Sequence, residues 1–155
     1  MTTPKIMPCL WIDDRIEEMV RFYVDTFKDA EIRDVQHYPD GRVLTMNFRL
    51  KDQEFMALNG GDNFKFTEAV SFVVDCKDQA EVDFFWNTLT ANGGEESMCG
   101  WLKDKYGLSW QIVPERLIDL IWDTKDTAAS GRAQQAMFQM KKIIVADIEK
   151  AYAGS

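Results

Sequence analysis

His37 is the one histidine of the chain, and Cys9, Cys76 and Cys99 are its three cysteines. A lone imidazole is a possible general base, but His37 stands two residues before a Pro39-Asp40-Gly41 turn and reads as a surface strand residue at a hairpin end. A Cys–His couple would need Cys9 or Cys99 beside His37, and no sequence feature brings them together. Three unevenly spaced cysteines without a CxxC pair form neither a disulfide framework nor a zinc or thiol-exchange motif. Cysteine otherwise packs as a small hydrophobe, the preferred reading for Cys76. Asn59-Gly60-Gly61-Asp62 is Gly-rich and follows a predicted strand, but Phe64 to Phe66 leads into another strand. An S-adenosylmethionine cradle of the conventional kind would open a helix there, so the glycines read as a connection that needs positive φ. Asp13-Asp14 and Glu17-Glu18 read as a helix start, where carboxylates meet exposed amides, and not as a carboxylate dyad. The positive signal is aromatic: Trp11, Phe64, Phe66, Trp101 and Trp110 gather around predicted strand ends and connections.

The elements that would position these groups follow from periodicity. Lys5 to Ile12 is a short apolar run, and Arg15 to Phe27 carries Ile16, Met19, Val20, Tyr23 and Phe27 on one helix face. Glu31 to Tyr38 runs into the Pro39-Asp40-Gly41 turn and predicts a hairpin with Arg42 to Leu50. In that second strand Leu44, Met46, Phe48 and Leu50 alternate with Val43, Thr45, Asn47 and Arg49, and Gln53 to Asn59 follows as a third strand. The same β-α-β-β-β order recurs at a shift of 62 residues, which lays Cys9 to Asp13 over Ser71 to Asp75. A second helix with Val82, Phe85, Trp86 and Leu89 ends at Asn92-Gly93-Gly94, and strands are predicted at Glu95 to Cys99, Trp101 to Lys105 and Leu108 to Val113. After Pro114 three short helices follow, marked by Leu117, Leu120 and Ile121, by Ala133, Ala136, Met137 and Met140, and by Val145, Ile148 and Tyr152. None would stand alone in water, so the tail must pack on the sheet or on a partner subunit.

The whole is an α+β chain: one domain over 1–155 in two halves, module one at about 5–59 and module two at about 69–114, with a helical tail over 115–155. With 18 Lys+Arg against 26 Asp+Glu the net charge is −8, and no basic run exists to track phosphates or an anionic membrane. No apolar segment reaches the roughly eighteen residues of a membrane span, and no signal-peptide pattern opens the chain. Cysteine usage and these absences predict a cytoplasmic protein.

Several motifs are familiar together. The paired modules with Phe22-Tyr23 late in the first helix resemble the vicinal oxygen chelate superfamily of glyoxalases, bleomycin resistance proteins and extradiol dioxygenases. Ala57 to Gly61, Phe64-Lys65-Phe66, Ser71 to Val74, Gly93 to Glu96, Cys99 to Asp104 and Gly107 to Pro114 resemble its PhnB-like subfamily, often labelled 3-demethylubiquinone-9 3-methyltransferase. The match extends from about Ile6 to the C-terminus.

This resemblance implies a glyoxalase/bleomycin resistance-like fold, in which two modules curl a mixed sheet into a cup, usually within a homodimer. Leu10 and Ile12 should face the first helix, which leaves Cys9 and Trp11 toward the cup; Trp110 and Ile112 share one face of the last strand, and Gln111 lies on the other. The superfamily's metal ligands would fall at Met7 or Cys9, at Ala69 or Ser71, at Met56 or Ala57 and at Gln111, a set without a dependable ligand. The expectation is therefore a small-molecule-binding protein with a metal-poor aromatic cup, its ligand residues Cys9, Trp11, Asn59, Phe66, Ser71, Trp101 and Gln111, and no catalytic residue assigned. No cofactor is predicted, with S-adenosylmethionine and a divalent metal kept open. The partner classes are a small organic molecule and a second copy of the chain, with no nucleic acid and no membrane. The alternatives are an enzyme acting on a small aromatic or quinone-like substrate, such as the methyltransferase of the label or a metal-dependent lyase or dioxygenase, and a resistance protein that sequesters a planar compound.

Overall fold

The computed structural model describes residues 4–155 and divides into two compact units, the first ending at Phe66 and the second spanning Thr67–Ser155. Unit one is β1 (Cys9–Ile12), α1 (Ile16–Phe27), β2 (Ala30–His37), β3 (Val43–Leu50) and β4 (Gln53–Asn59). Its sheet runs β1-β4-β3-β2, with β1 parallel to β4 and the other pairs antiparallel. The helix forms where the sequence places it. Ile16, Met19, Val20, Tyr23 and Phe27 make one buried stripe, Glu17 and Glu18 sit in the first turn against the helix dipole, and Lys28 at φ 64° stops it. Leu10, Ile12, Met46, Phe48, Leu50, Phe55 and Ala57 are the buried strand residues of the same unit.

One alternation is corrected. Val43, expected opposite Met46, is buried too, because β2 and β3 slip register between Gln36/His37, where His37 pairs with Val43 while Gln36 pairs with Thr45. One extra residue on a strand reverses the parity beyond it.

Unit two comprises β5 (Ser71–Cys76), α2 (Gln79–Thr90), β6 (Glu95–Glu96), β7 (Trp101–Lys103), β8 (Ser109–Pro114), α3 (Glu115–Ile121), α4 (Thr127–Phe138) and α5 (Val145–Ala153). Its sheet repeats the first topology as β5-β8-β7-β6. Asp78 caps α2 by accepting from Glu81 N at 2.9 Å, while the Glu81 carboxylate accepts from Lys77 N at 3.2 Å. This reciprocal arrangement holds the helix start.

The predicted strands Glu95 to Cys99 and Trp101 to Lys105 are much shorter than expected. Cys99 (φ 60°) and Gly100 (φ 83°) are left-handed, and their N–H groups donate to Met140 O and Lys141 O of the tail instead of to a strand. At the other end the Asp104 carboxylate draws in Tyr106 N and Leu108 N and closes a turn. The repeat therefore slips. Cys9 pairs with Met56, but its counterpart Ser71 pairs with Ser109, nine positions short of a constant 62-residue offset.

The tail packs within its own unit. Leu117, Leu120, Ile121, Ala133, Ile143 and Ile148 form a cluster with Val113 of β8, and Gln79 at the start of α2 donates to Ile143 O and accepts from Val145 N. Ile143 is fully buried, so Ile143→Val, one methylene lost at a site that cannot collapse freely, is expected to cost about 1 kcal/mol in urea unfolding. A cost indistinguishable from zero would mean that the tail is not docked there. Among the described residues no helix is long and apolar enough to cross a membrane.

Candidate functional site

Each unit lays its first helix against one face of its sheet, and strand register identifies what the opposite face carries. In unit one, Cys9, Met56 and Asn47 are lateral neighbours across β1, β4 and β3, and Trp11, Leu58 and Thr45 form the next row. Cys9 and Trp11 thus share the expected face. Cys9 is exposed, yet partial desolvation of its sulfur raises the thiol pKa, so the group is not an activated nucleophile. The Trp11 indole donates to Gly61 O at 2.9 Å and meets Phe64 edge-on at 4.9 Å between centroids.

Gly60 explains why that ring fits. A Cβ there would stand 2.4 Å from the indole, so only glycine allows the ring to lie on the chain. Gly61, at φ +91°, meets nothing and serves the turn itself.

Asn59 lies elsewhere. It follows the parity of Phe55 and Ala57 onto the helix-covered face and is buried. Its side-chain amide donates to Asp14 Oδ1 and Val43 O, both at 3.0 Å, while its backbone carbonyl accepts from the Tyr38 hydroxyl at 2.7 Å. Phe66 is half-buried in the connection after β4 and belongs to neither row. His37 is exposed at the end of β2. Sequence reading missed the polar content of this face: Arg33 bridges Glu31 and Glu54, and Asn47 Oδ1 is buried with no hydrogen-bond partner. The odd-numbered parity of Thr45, Asn47 and Arg49 was the available signal for Asn47.

Unit two gathers three expected residues. Gln111 lies laterally between Trp101 on β7 and Val73 on β5, and its Nε2 donates to Ser71 Oγ at 2.9 Å. Trp101, Ser71 and Gln111 are half-buried, and none of them is on the α2 side. Trp110 and Ile112, with the opposite parity, are buried, and the Trp110 indole donates to Asp104 Oδ2 at 2.9 Å. This face carries an aromatic ring, an amide oxygen and a hydroxyl hydrogen side by side.

The group-binding alternatives meet these residues as follows. Among the described residues, no three His, Cys, Asp or Glu side chains converge as a metal site would need. With Met56, Cys9, Ser71 and Gln111 at the corresponding positions, the donors do not fit a chelated divalent ion. Gly60 and Gly61 open no helix; the chain runs from β4 to β5 without one. A conventional S-adenosylmethionine cradle does not fit that connection.

A family model described as 3-demethylubiquinone-9 3-methyltransferase matches residues 4–113. The chain belongs to this family. The match ends before α3, so the family likeness stops short of the expected C-terminus and leaves the three tail helices outside it. Among solved structures, a PhnB protein from Bacillus cereus is 32% identical, covering 72% of this chain and 99% of its own, with a TM-score of 0.66. Protein PA1353 from Pseudomonas aeruginosa (15% identical, 73% and 98% covered, TM-score 0.61) and the fosfomycin resistance protein FosX from Listeria monocytogenes (14%, 74% and 94%, TM-score 0.53) share the fold. No curated protein matches the chain. The chain has the glyoxalase/bleomycin resistance-like fold of these neighbours.

Proposed function

We propose that the protein binds a flat, neutral organic molecule of the quinone or aromatic class on the open face of the second sheet, with Trp101 as stacking surface and the Gln111–Ser71 pair as polar anchor. The observation that carries this reading is the Gln111–Ser71 hydrogen bond beside the Trp101 ring, on the face that α2 does not cover. The Gln111 amide oxygen accepts from a ligand hydroxyl, and the Ser71 hydroxyl donates to a ligand carbonyl. Both are available without breaking the pair. The family's description names a quinone-type substrate, which has this shape and these groups.

Titration of intrinsic tryptophan fluorescence with a panel of quinones and phenols tests it. Saturable quenching is expected, weakened about tenfold by Gln111→Ala through the loss of roughly one hydrogen bond and abolished in its Trp101 component by Trp101→Phe. A panel without any saturable response would sink the reading. Saturable binding of S-adenosylmethionine by the same protein would instead favour the methyltransferase of the family's description.

A further inference from the structure

On that same face lies a second group with different chemistry. Glu95, Lys103 and Ser109 are successive lateral partners across β6, β7 and β8, so their side chains leave the sheet on one side. With Glu68, Ser97 and Trp101 they line a cavity of about 140 Å³. Ser109 is only 1% exposed, and its Oγ has no hydrogen-bond partner among the described residues. A buried hydroxyl left in that state is costly and is tolerated where a ligand completes it.

The charges around the cavity decide what that ligand is. Lys103 gives its ammonium to Glu68, whereas Glu95 on the adjacent strand holds no ion pair among the described residues. Glu96, also on the rim, accepts from the buried Trp86 indole at 2.7 Å through one oxygen. Three carboxylates against one ammonium make the field negative, which repels anions and attracts a cation. The volume equals about five waters at roughly 30 Å³ each and lies well below the roughly 300 Å³ that a drug-sized ligand needs.

We propose that this cavity is a subsite for a small primary ammonium compound bearing a hydroxyl, its ammonium against the Glu95 carboxylate, its hydroxyl on Ser109 Oγ and the Trp101 ring forming the wall. An ammonium supplies the three donors that a carboxylate and an indole face accept. The hydroxyl supplies the partner that Ser109 lacks. The subsite goes beyond the quinone-binding reading: the two share the Trp101 ring alone, and their ligands and polar anchors differ, so either can fail alone.

Ethanolamine is the probe, titrated into the full chain at constant ionic strength and followed by NMR through the indole N–H of Trp101, assigned with Trp101→Phe. A saturable shift is expected with a Kd of about millimolar order, as few ligand atoms allow. Glu95→Gln should weaken it at least about tenfold by removing the charge-assisted bond. Ser109→Ala should weaken it about fivefold while raising the Tm of the free protein by about 2–4 °C, since an unmade buried hydroxyl is deleted. The opposite signs on binding and stability separate a ligand-completed serine from a structural one. No saturable shift overturns the proposal, as does an equal response to ethylene glycol or acetate, or retention of affinity in Glu95→Gln.

Discussion

Asp104→Ala is expected to lower the unfolding free energy by about 3 kcal/mol, because three donors lose the buried side chain that accepts them. Asp104 is 2% exposed. Its Oδ1 accepts from Tyr106 N at 2.8 Å and Leu108 N at 3.1 Å, and its Oδ2 accepts from the Trp110 indole at 2.9 Å. Alanine would leave two backbone donors and a buried indole donor unpaired. Asp104→Asn is gentler but informative: one oxygen can serve the turn amides, and the amide nitrogen then opposes the Trp110 N–H, donor against donor. About 2 kcal/mol is expected from that clash and one lost bond. The effect reaches the binding face, because the turn sets where β8 starts and β8 carries Ser109 and Gln111. Urea unfolding with an unchanged m-value checks both variants; an Asp104→Ala midpoint equal to that of the parent would show that the carboxylate does not hold the turn.

What could be read beforehand divides along the range of the interactions. Spacings of three and four placed α1 because Ile16 to Phe27 bury one stripe, and the alternation of Leu10 and Ile12 placed Cys9 and Trp11 on the other side of β1. The bridge from Arg33 to Glu54 spans 21 positions and depends on a register slip in β2, so no local pattern announces it. The truncated β6 and β7 depend on carbonyls of Met140 and Lys141, about forty residues downstream, capturing the amides of Cys99 and Gly100. A non-glycine residue at φ 60° is likewise invisible in a period-two reading.

Asn59 depends on a different kind of signal. Its parity with Phe55 and Ala57 was available in the sequence and assigns it to the covered face, where Asp14, Val43 and Tyr38 hold it. The period-two rule thus gives the face of a strand residue before its partners are known. The pair of Ser71 and Gln111 carries the converse lesson. Its members are 40 positions apart, and only the parallel pairing of β5 with β8 brings them together.

Gly60→Ala is expected to have the second large effect, about 2–4 kcal/mol, and to act through Trp11 alone. Gly60 does not need a positive φ, so alanine incurs no backbone strain there; its methyl would instead stand 2.4–2.7 Å from three indole carbons. The ring cannot yield cheaply, because its N–H is held on Gly61 O and its face is met by Phe64. Moving it forfeits about 1 kcal/mol of hydrogen bond and about 0.5–1.5 kcal/mol of aromatic contact, with overpacking strain added if it stays. Gly61→Ala is the matched control. That position has φ +91° and open space around the missing Cβ, so alanine should cost only the left-handed penalty of about 1 kcal/mol and leave the indole where it is. The two variants therefore separate in fluorescence as well as in stability: a red-shifted Trp11 emission, read as the difference from a matched Trp11→Phe variant, for Gly60→Ala and parental emission for Gly61→Ala. Equal emission in both would mean that the indole does not rest on Gly60. Any ligand contact made by Trp11 would then start from a ring free to rotate, and its ordering entropy would be charged against binding.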